Sequence, residues 1–489
     1  MREVLIAAGF GLLFAVAGLA LIISGLKTLF RPSDRGKALR NAIPPVLAGA
    51  LFLGGGAIGI EVGIHRPAEE AKQEVAKRFI AAAGRGDIET VRRMLANQPD
   101  LVNVTEVNLP PIGQRVPLRR PIGAYGQIVN RPLQAAAEGL HADVVELLLD
   151  RGADVNATLA NRVTALHAAG NKITVNADAA SAMRSKVIEL LIGRGANVNA
   201  RKRTLQTPLH ENVHDQKAVE LLLAHGADVN ARDDIEETPL LRAAAIPWID
   251  AGVVRVLLDH GADIRARDHD GDTAFVNASI NLEVLELLLS RGAAPKEANN
   301  AGDTALHRFA ELGGSAELHA LDPAAFLCSA GLRPDVRDRA GKTPADILND
   351  RIAGESDSSR IVWLRRTARF LSAGGPCDQL ARSSRPPSKE QRDVTVAEFA
   401  CTNGDTEGCA KLAWSYDTGT GVPVNRSRAA QLYGPVCDAG TAWACFNLAL
   451  LYAAGDGVSK DETLAMAFYR KACDRGDADA CLKVRSTQR

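Results

Sequence analysis

Six of the eight cysteines in this 489-residue chain fall in three copies of one pattern, Cys401/Gly404/Cys409, Cys437/Gly440/Cys445 and Cys473/Gly476/Cys481, repeating every 36 residues. The chemistry they offer is oxidation to disulfides. Two residues eight apart on one continuous helix are separated by roughly 12 Å, whereas bridged cysteines need Cα atoms within about 7 Å. The glycine must therefore turn the chain between two helices, so that each pair staples the end of one helix to the first turn of the next. Zinc fits less well, because its ligand pairs are usually separated by about two to four residues. Bridged cysteines imply an oxidising compartment; reduced thiols in a cytosolic helical domain are the competing reading. Cys328 and Cys377 are left over, either to bridge each other or to stay free.

Three other constellations suggest catalysis and then fail. His210-Glu211-Asn212-Val213-His214 matches the motif in which two histidines one helical turn apart hold zinc and the glutamate acts as base. Yet His210 closes Thr207-Pro208-Leu209-His210, in register with His167 and His307, which lack a second histidine. The helix it starts should be short, and Asp234 or Glu237, the conceivable third ligands, are expected on a hairpin tip. A structural histidine is the better reading. Ser24-x-x-Lys27 stands at the boundary of an apolar segment where no substrate pocket can form, and Lys342-Thr343-Pro344 lacks the glycine of a Lys-Thr-Gly motif. No catalytic residue, bound metal or cofactor is expected.

The elements that carry these residues follow from composition and periodicity. Lysine plus arginine equals aspartate plus glutamate, 58 of each, which argues against nucleic acid as a partner. Aromatics are only 4%, a composition suited to close-packed short helices. Near the start, residues 4–26 carry no charge and are long enough to cross about 30 Å of hydrocarbon. A second uncharged stretch, about 42–60, carries Gly55 and Gly59 at a helix-packing spacing. Residues 1–66 are therefore expected to form a transmembrane hairpin, a cleaved signal peptide being the alternative for the first span. Lys27, Arg31, Arg35, Lys37 and Arg40 lie between the spans against Asp34 alone, which puts that loop in the cytoplasm and the rest of the chain outside.

From residue 70 to 371 a helical-hairpin pattern recurs. Leu-Leu-Leu-x-x-Gly-Ala-Asp-Val-Asn stands at 147–156 and again at 221–230, with looser copies at 190–199, 257–265 and 287–295. Each pairs with a segment such as Thr164-Ala-Leu-His167, Thr207-Pro-Leu-His210, Thr238-Pro-Leu-Leu241, Thr273-Ala-Phe-Val276, Thr304-Ala-Leu-His307 or Thr343-Pro-Ala-Asp346. Threonine caps the helix, proline suits its first position, and glycine ends the second helix in a left-handed conformation. The segment resembles ankyrin repeats, roughly eight of them. That resemblance implies a stacked array whose hairpin tips and first helices bind other proteins.

Extra residues interrupt the array near 105–130, 172–185, 311–323 and 353–359. The first insertion carries Arg115, Arg119, Arg120 and Tyr125, candidates for docking an acidic protein or an anionic headgroup; a solvated, flexible loop is the plainer reading. Successive tips alternate in sign, Arg201, Lys202 and Arg203 being followed by Asp233, Asp234, Glu236 and Glu237. Alternation of this kind favours a polar protein over a uniformly charged polymer.

Residues 372–392, with two glycines and three prolines, read as a linker. Over 393–486 the cysteine pairs are joined by Tyr416-x-x-Gly419-x-Gly421-Val422 and its copy Tyr452-x-x-Gly455-x-Gly457-Val458. This pattern resembles Sel1-like repeats, and the paired cysteines resemble those of the Helicobacter cysteine-rich proteins. The latter resemblance implies an alternative function, β-lactamase-like hydrolysis, for which no activated serine is found. The expected fold class is all-α: a transmembrane helical hairpin, an ankyrin repeat solenoid and a short disulfide-stapled Sel1-like solenoid. The expected function is a periplasmic protein–protein interaction scaffold anchored in the bacterial inner membrane by two transmembrane helices. Its narrower form is an immunity or regulatory protein binding an envelope-active partner, with oligomeric state left open.

Overall fold

Short paired helices are the building unit, and each is delimited by residues with a physical reason to be there. In the computed structural model, which describes residues 71–108, 127–170, 177–312, 321–372, 374–383 and 387–486, the helix Pro208–Asn212 starts on Thr207 with proline in its first turn. Its partner Gln216–Ala224 starts on Asp215, whose carboxylate accepts the Ala218 N–H at 3.1 Å. Ala218, Val219, Leu222 and Leu223 form its buried stripe at helical spacing. Gly226, at φ 83°, then closes it in the left-handed conformation that glycine adopts without strain. Pro239–Ala244 with Ala251–Asp259, and Ala274–Asn277 with Leu282–Ser290, repeat the scheme.

The chain divides into two compact units, one of residues up to 169 with 193–196, the other of 170–192 with the chain from 197 onward. In the first, a helix over 71–84 and the helix Ile88–Asn97 bury Phe79, Val91 and Leu95. They are followed by the hairpin of Pro132–Glu138 and Ala142–Asp150. Between the two lies an antiparallel ribbon of β1 (Glu106–Asn108) and β2 (Gln127–Asn130), with Val107 opposite Ile128. The ribbon closes the base of the first insertion, where β-branched residues favour strand over helix. Apart from this ribbon the described elements are helical, in keeping with the all-α expectation.

A correction concerns the membrane. Among the described residues no helix is long and apolar enough to cross one. Ala177–Gly193, at 17 residues, carries Arg184, Lys186 and Glu189. The hairpin expected at 4–26 and 42–60 lies outside the described residues. Fold class therefore rests on the helical repeats.

The second unit joins the rest of the array to the cysteine-rich module. Part of the insertion at 172–185 is spent on lengthening Ala177–Gly193, which brings Arg184 and Ser181 onto Asp215. The stretch 372–392 contains the helix Pro376–Ala381, with Cys377 and Leu380 buried, and the start of Lys389–Thr402. It does so because apolar side chains find a place against the array. Cys377 is bonded to Cys328 on the helix Asp322–Ser329, and the Arg392 guanidinium lies over the Phe326 ring at 5.1 Å while pairing with Glu286 at 3.1 Å. Phe370 on Ser358–Phe370 meets Phe399 edge-on at 5.4 Å. The module continues as Thr406–Thr418, Arg426–Asp438, Ala442–Ala454, Glu462–Cys473 and Ala478–Ser486.

Candidate interaction surface

The threonine-to-histidine segments are internal fasteners. The Thr207 N–H donates to Nδ1 of His210 at 3.2 Å, so in the neutral ring Nε2 carries the proton and donates to the Glu237 carbonyl at 3.1 Å. His307 does the same between Thr304 and the Lys342 carbonyl. His210 is fully buried, and burial holds its pKa below the usual histidine value, the Glu237 carbonyl opposing. His214 lies beyond the end of the helix Pro208–Asn212, so the two histidines do not share a helix face. No group of three or more His, Cys, Asp or Glu side chains able to hold a metal occurs among the described residues.

The asparagines that end the Gly-Ala-Asp-Val-Asn segments tie one repeat to the next. Asn199 Nδ2 donates to the Gly226 carbonyl at 2.9 Å and its Oδ1 accepts the Asp228 N–H at 2.8 Å; Asn230 repeats this on Gly261 and Asp263. The tips are linked separately. Backbone N–H groups of Asp234, His269, Asn300 and Arg339 donate to the carbonyls of Thr204, Ile235, Asp270 and Ala301, at 2.8–3.1 Å. A continuous row of fixed tips results, with Leu205 and Glu236 at φ 59° and 61° where the next three tips use Gly271, Gly302 and Gly341.

Residues expected to meet a partner divide in two on this row. Arg203, Asp234 and Glu236 are exposed, as is Arg201, which donates to the Arg232 carbonyl. Lys202 pairs with Glu211 at 2.7 Å and Glu237 with Arg242 at 3.1 Å, both largely covered, and burial raises the Glu237 pKa against the pull of Arg242. Asp233 is buried and points back into the tip, accepting from the N–H groups of Ile235 and Glu237 and from Gln206. An acid in a turn reads the same from sequence whether it faces water or its own backbone. Arg115, Arg119, Arg120 and Tyr125 lie outside the described residues.

Sequence reasoning missed the apolar members of the surface. Leu205 and Ile235 stand exposed on adjacent tips, and Trp248 is 73% exposed on a loop whose Pro247 and Ile249 carbonyls are both held by Asn281. An apolar residue inside an otherwise polar tip was the available signal.

In the cysteine-rich module the disulfides Cys401–Cys409, Cys437–Cys445 and Cys473–Cys481 span helix-to-helix turns, with Cα atoms 4.4–4.7 Å apart. Tyr452 of the Tyr-x-x-Gly-x-Gly motif stacks on Phe468 of the next helix at 5.7 Å. Compared with known families, residues 134–233, 177–268 and 215–299 match the model for ankyrin repeats, and 406–440 and 444–477 match that for the Sel1 repeat. Ankyrin repeats and Sel1 repeats are both present. No curated protein matches the chain. The ankyrin matches take in the tips from Arg201 to Asp270, and each Sel1 match takes two successive helices of the module with the loop between them. Repeats of both families are typically non-catalytic interaction modules, and they support a protein–protein interaction scaffold.

Proposed function

We propose that the chain is a protein-binding scaffold of an oxidising compartment, the bacterial periplasm, and that the tip row of the ankyrin array is its contact surface. The observation that carries this reading is the tip-to-tip backbone bonding, which fixes the row before any partner arrives. Arg203, Leu205, Asp234, Ile235 and Glu236 are left exposed on it. Mixed charge with apolar residues between suits a protein surface. Four disulfides support the compartment. An immunity or regulatory role toward an envelope-active protein is the narrower form of the proposal.

The test is affinity capture from periplasmic extract by the wild-type chain and by a variant combining Arg203→Glu, Asp234→Arg and Glu236→Arg. A protein held by the first and released by the second, with unchanged melting temperature, is the expected result. Identical captures would remove the tips from the interface, and an empty wild-type capture would remove the scaffold reading itself.

A further inference from the structure

Among the described residues nine buried side-chain nitrogen or oxygen atoms have no hydrogen-bond partner, and three of the nine fall on the helix Ser358–Phe370. They are Nε1 of Trp363 and Nε and Nη2 of Arg366, on residues one helical turn apart on the same face. All three are N–H donors, and Trp363 is only 4% exposed. The Arg366 Nη1 donates to Oδ2 of Asp405 at 2.6 Å. The other edge of the guanidinium, where Nε and Nη2 point their N–H groups side by side, is left to be matched. Buried donors are nearly always matched, because a donor taken out of water without an acceptor loses its hydration for nothing.

The surrounding charge selects the kind of acceptor. The helix carries four arginines and no acid. Glu355 pairs with Arg360 at 3.3 Å and Asp405 with Arg366, but Arg369 meets only the neutral amide oxygen of Asn403, and Arg365 beside it is exposed. Asp405 is itself shared, since its Oδ1 accepts the Gly408 N–H and caps the helix Thr406–Thr418. That helix start brings the positive end of a dipole to the same place. Water would accept the hydrogen bonds and leave the charge unbalanced; an anion does both. We infer that this face of Ser358–Phe370 binds a small oxyanion, two of whose oxygens accept from Nε and Nη2 of Arg366 while the indole N–H of Trp363 donates from one turn away. Carboxylate, sulfate and phosphate present such a pair of oxygens, and chloride does not. The bound oxyanion strengthens the hold of the last array helix on the turn between Lys389–Thr402 and Thr406–Thr418, where Asn403 and Asp405 already meet it.

The test follows thermal melting of the purified full chain at constant ionic strength as chloride is replaced by acetate, sulfate or phosphate. At least one oxyanion should raise the melting temperature saturably in the millimolar range, by about 2 °C or more. General salting effects do not saturate, and they persist in Arg366→Lys, which keeps a positive charge for Asp405 and lacks the two-donor edge. The saturable response should vanish in Arg366→Lys and weaken about tenfold in Trp363→Phe, which keeps a ring without the N–H. Should Arg366→Lys fail to fold, Trp363→Phe carries the comparison. Wild type alone overturns the inference if its melting is the same in every anion, the donors then being held by water only. A response that chloride matches, that Arg366→Lys retains or that Trp363→Phe leaves at full strength overturns it as well.

Discussion

Arg184 and Asp215 show how much a single pair can decide. Both side chains are buried and 2.5 Å apart, and Asp215 also accepts from the Ser181 hydroxyl and the Ala218 N–H while capping its helix. Burial alone would raise the Asp215 pKa. The Ala218 N–H, Arg184 and Ser181 outweigh it and hold the carboxyl below the usual carboxylate range. With the folded value depressed, the stabilisation is present above the unfolded carboxylate pKa and is lost as pH falls through the folded value. Arg184→Ala removes the partner and leaves a buried charge, which should cost roughly 3–5 kcal/mol at pH 7. The variant should also recover relative to wild type on acidification, because protonating Asp215 now relieves a penalty. Denaturant melts between pH 7 and pH 4 check both; a variant within about 1 kcal/mol of wild type at pH 7 would mean that the pair is not buried as described. Only part of this was legible beforehand. Thr207 and Asp215 announce helix starts, but that a residue from the insertion at 172–185 would reach Asp215 depends on a helix length that local sequence does not set.

At the scale of elements, the Tyr-x-x-Gly-x-Gly motif separates into two glycines with different jobs. Gly455 ends the helix Ala442–Ala454 in the left-handed conformation. Gly457, at φ 70°, lies so close to the start of Arg426–Asp438 that a Cβ would come within 2.4 Å of the Ser427 nitrogen and 2.5 Å of the Arg426 carbonyl carbon. Gly421 makes the same approach to the Glu390 backbone, so in each hairpin the loop after the second helix is seated on the first turn of the first. The repeat of the motif was visible in sequence, and so was the turn glycine; the backbone-to-backbone approach was not, since it joins residues about thirty positions apart. Gly476 is the control, with φ 92° and nothing within 4 Å of its Cβ position. Gly476→Ala should cost the strain alone, about 1 kcal/mol. Gly457→Ala should cost about 2–3 kcal/mol or more, because backbone cannot yield as a side chain can. Equal losses in thermal or denaturant unfolding would show that the seat is looser than drawn.

For the molecule as a whole, the decisive contact is one that no periodicity announces. Three of the disulfides each close the turn of one helical hairpin and follow from their spacing. Cys328 and Cys377 are 49 residues apart, lie outside the repeated cysteine pattern, and become partners only because Pro376–Ala381 folds back onto Asp322–Ser329. Composition made the intervening stretch look like a spacer, since glycine and proline mark a compact corner and a flexible connection alike. The difference lies in the burial of Cys377, Leu380 and Phe370, in the ion pair of Arg366 with Asp405 at 2.6 Å and in the seating of Arg392 on Phe326. These join the end of the ankyrin array and the start of the Sel1 module within one compact unit. Restricting the unfolded chain by a loop of that length is worth about 4 kcal/mol, against roughly 2–3 kcal/mol for each short staple. Removing it as Cys328→Ala with Cys377→Ala should therefore destabilise more than Cys401→Ala with Cys409→Ala. The kind of damage should differ as well. Loss of the short staple should raise hydrogen exchange in Lys389–Thr402 and Thr406–Thr418 alone. Loss of the long one should raise it on both sides of the junction, in Asp322–Ser329 and Lys389–Thr402 together, because the array then loses the lid on its last helices. If the long bridge proved the cheaper to remove, with exchange unchanged in Asp322–Ser329, the two repeat families would behave as independent bodies and the junction would have no part in holding them.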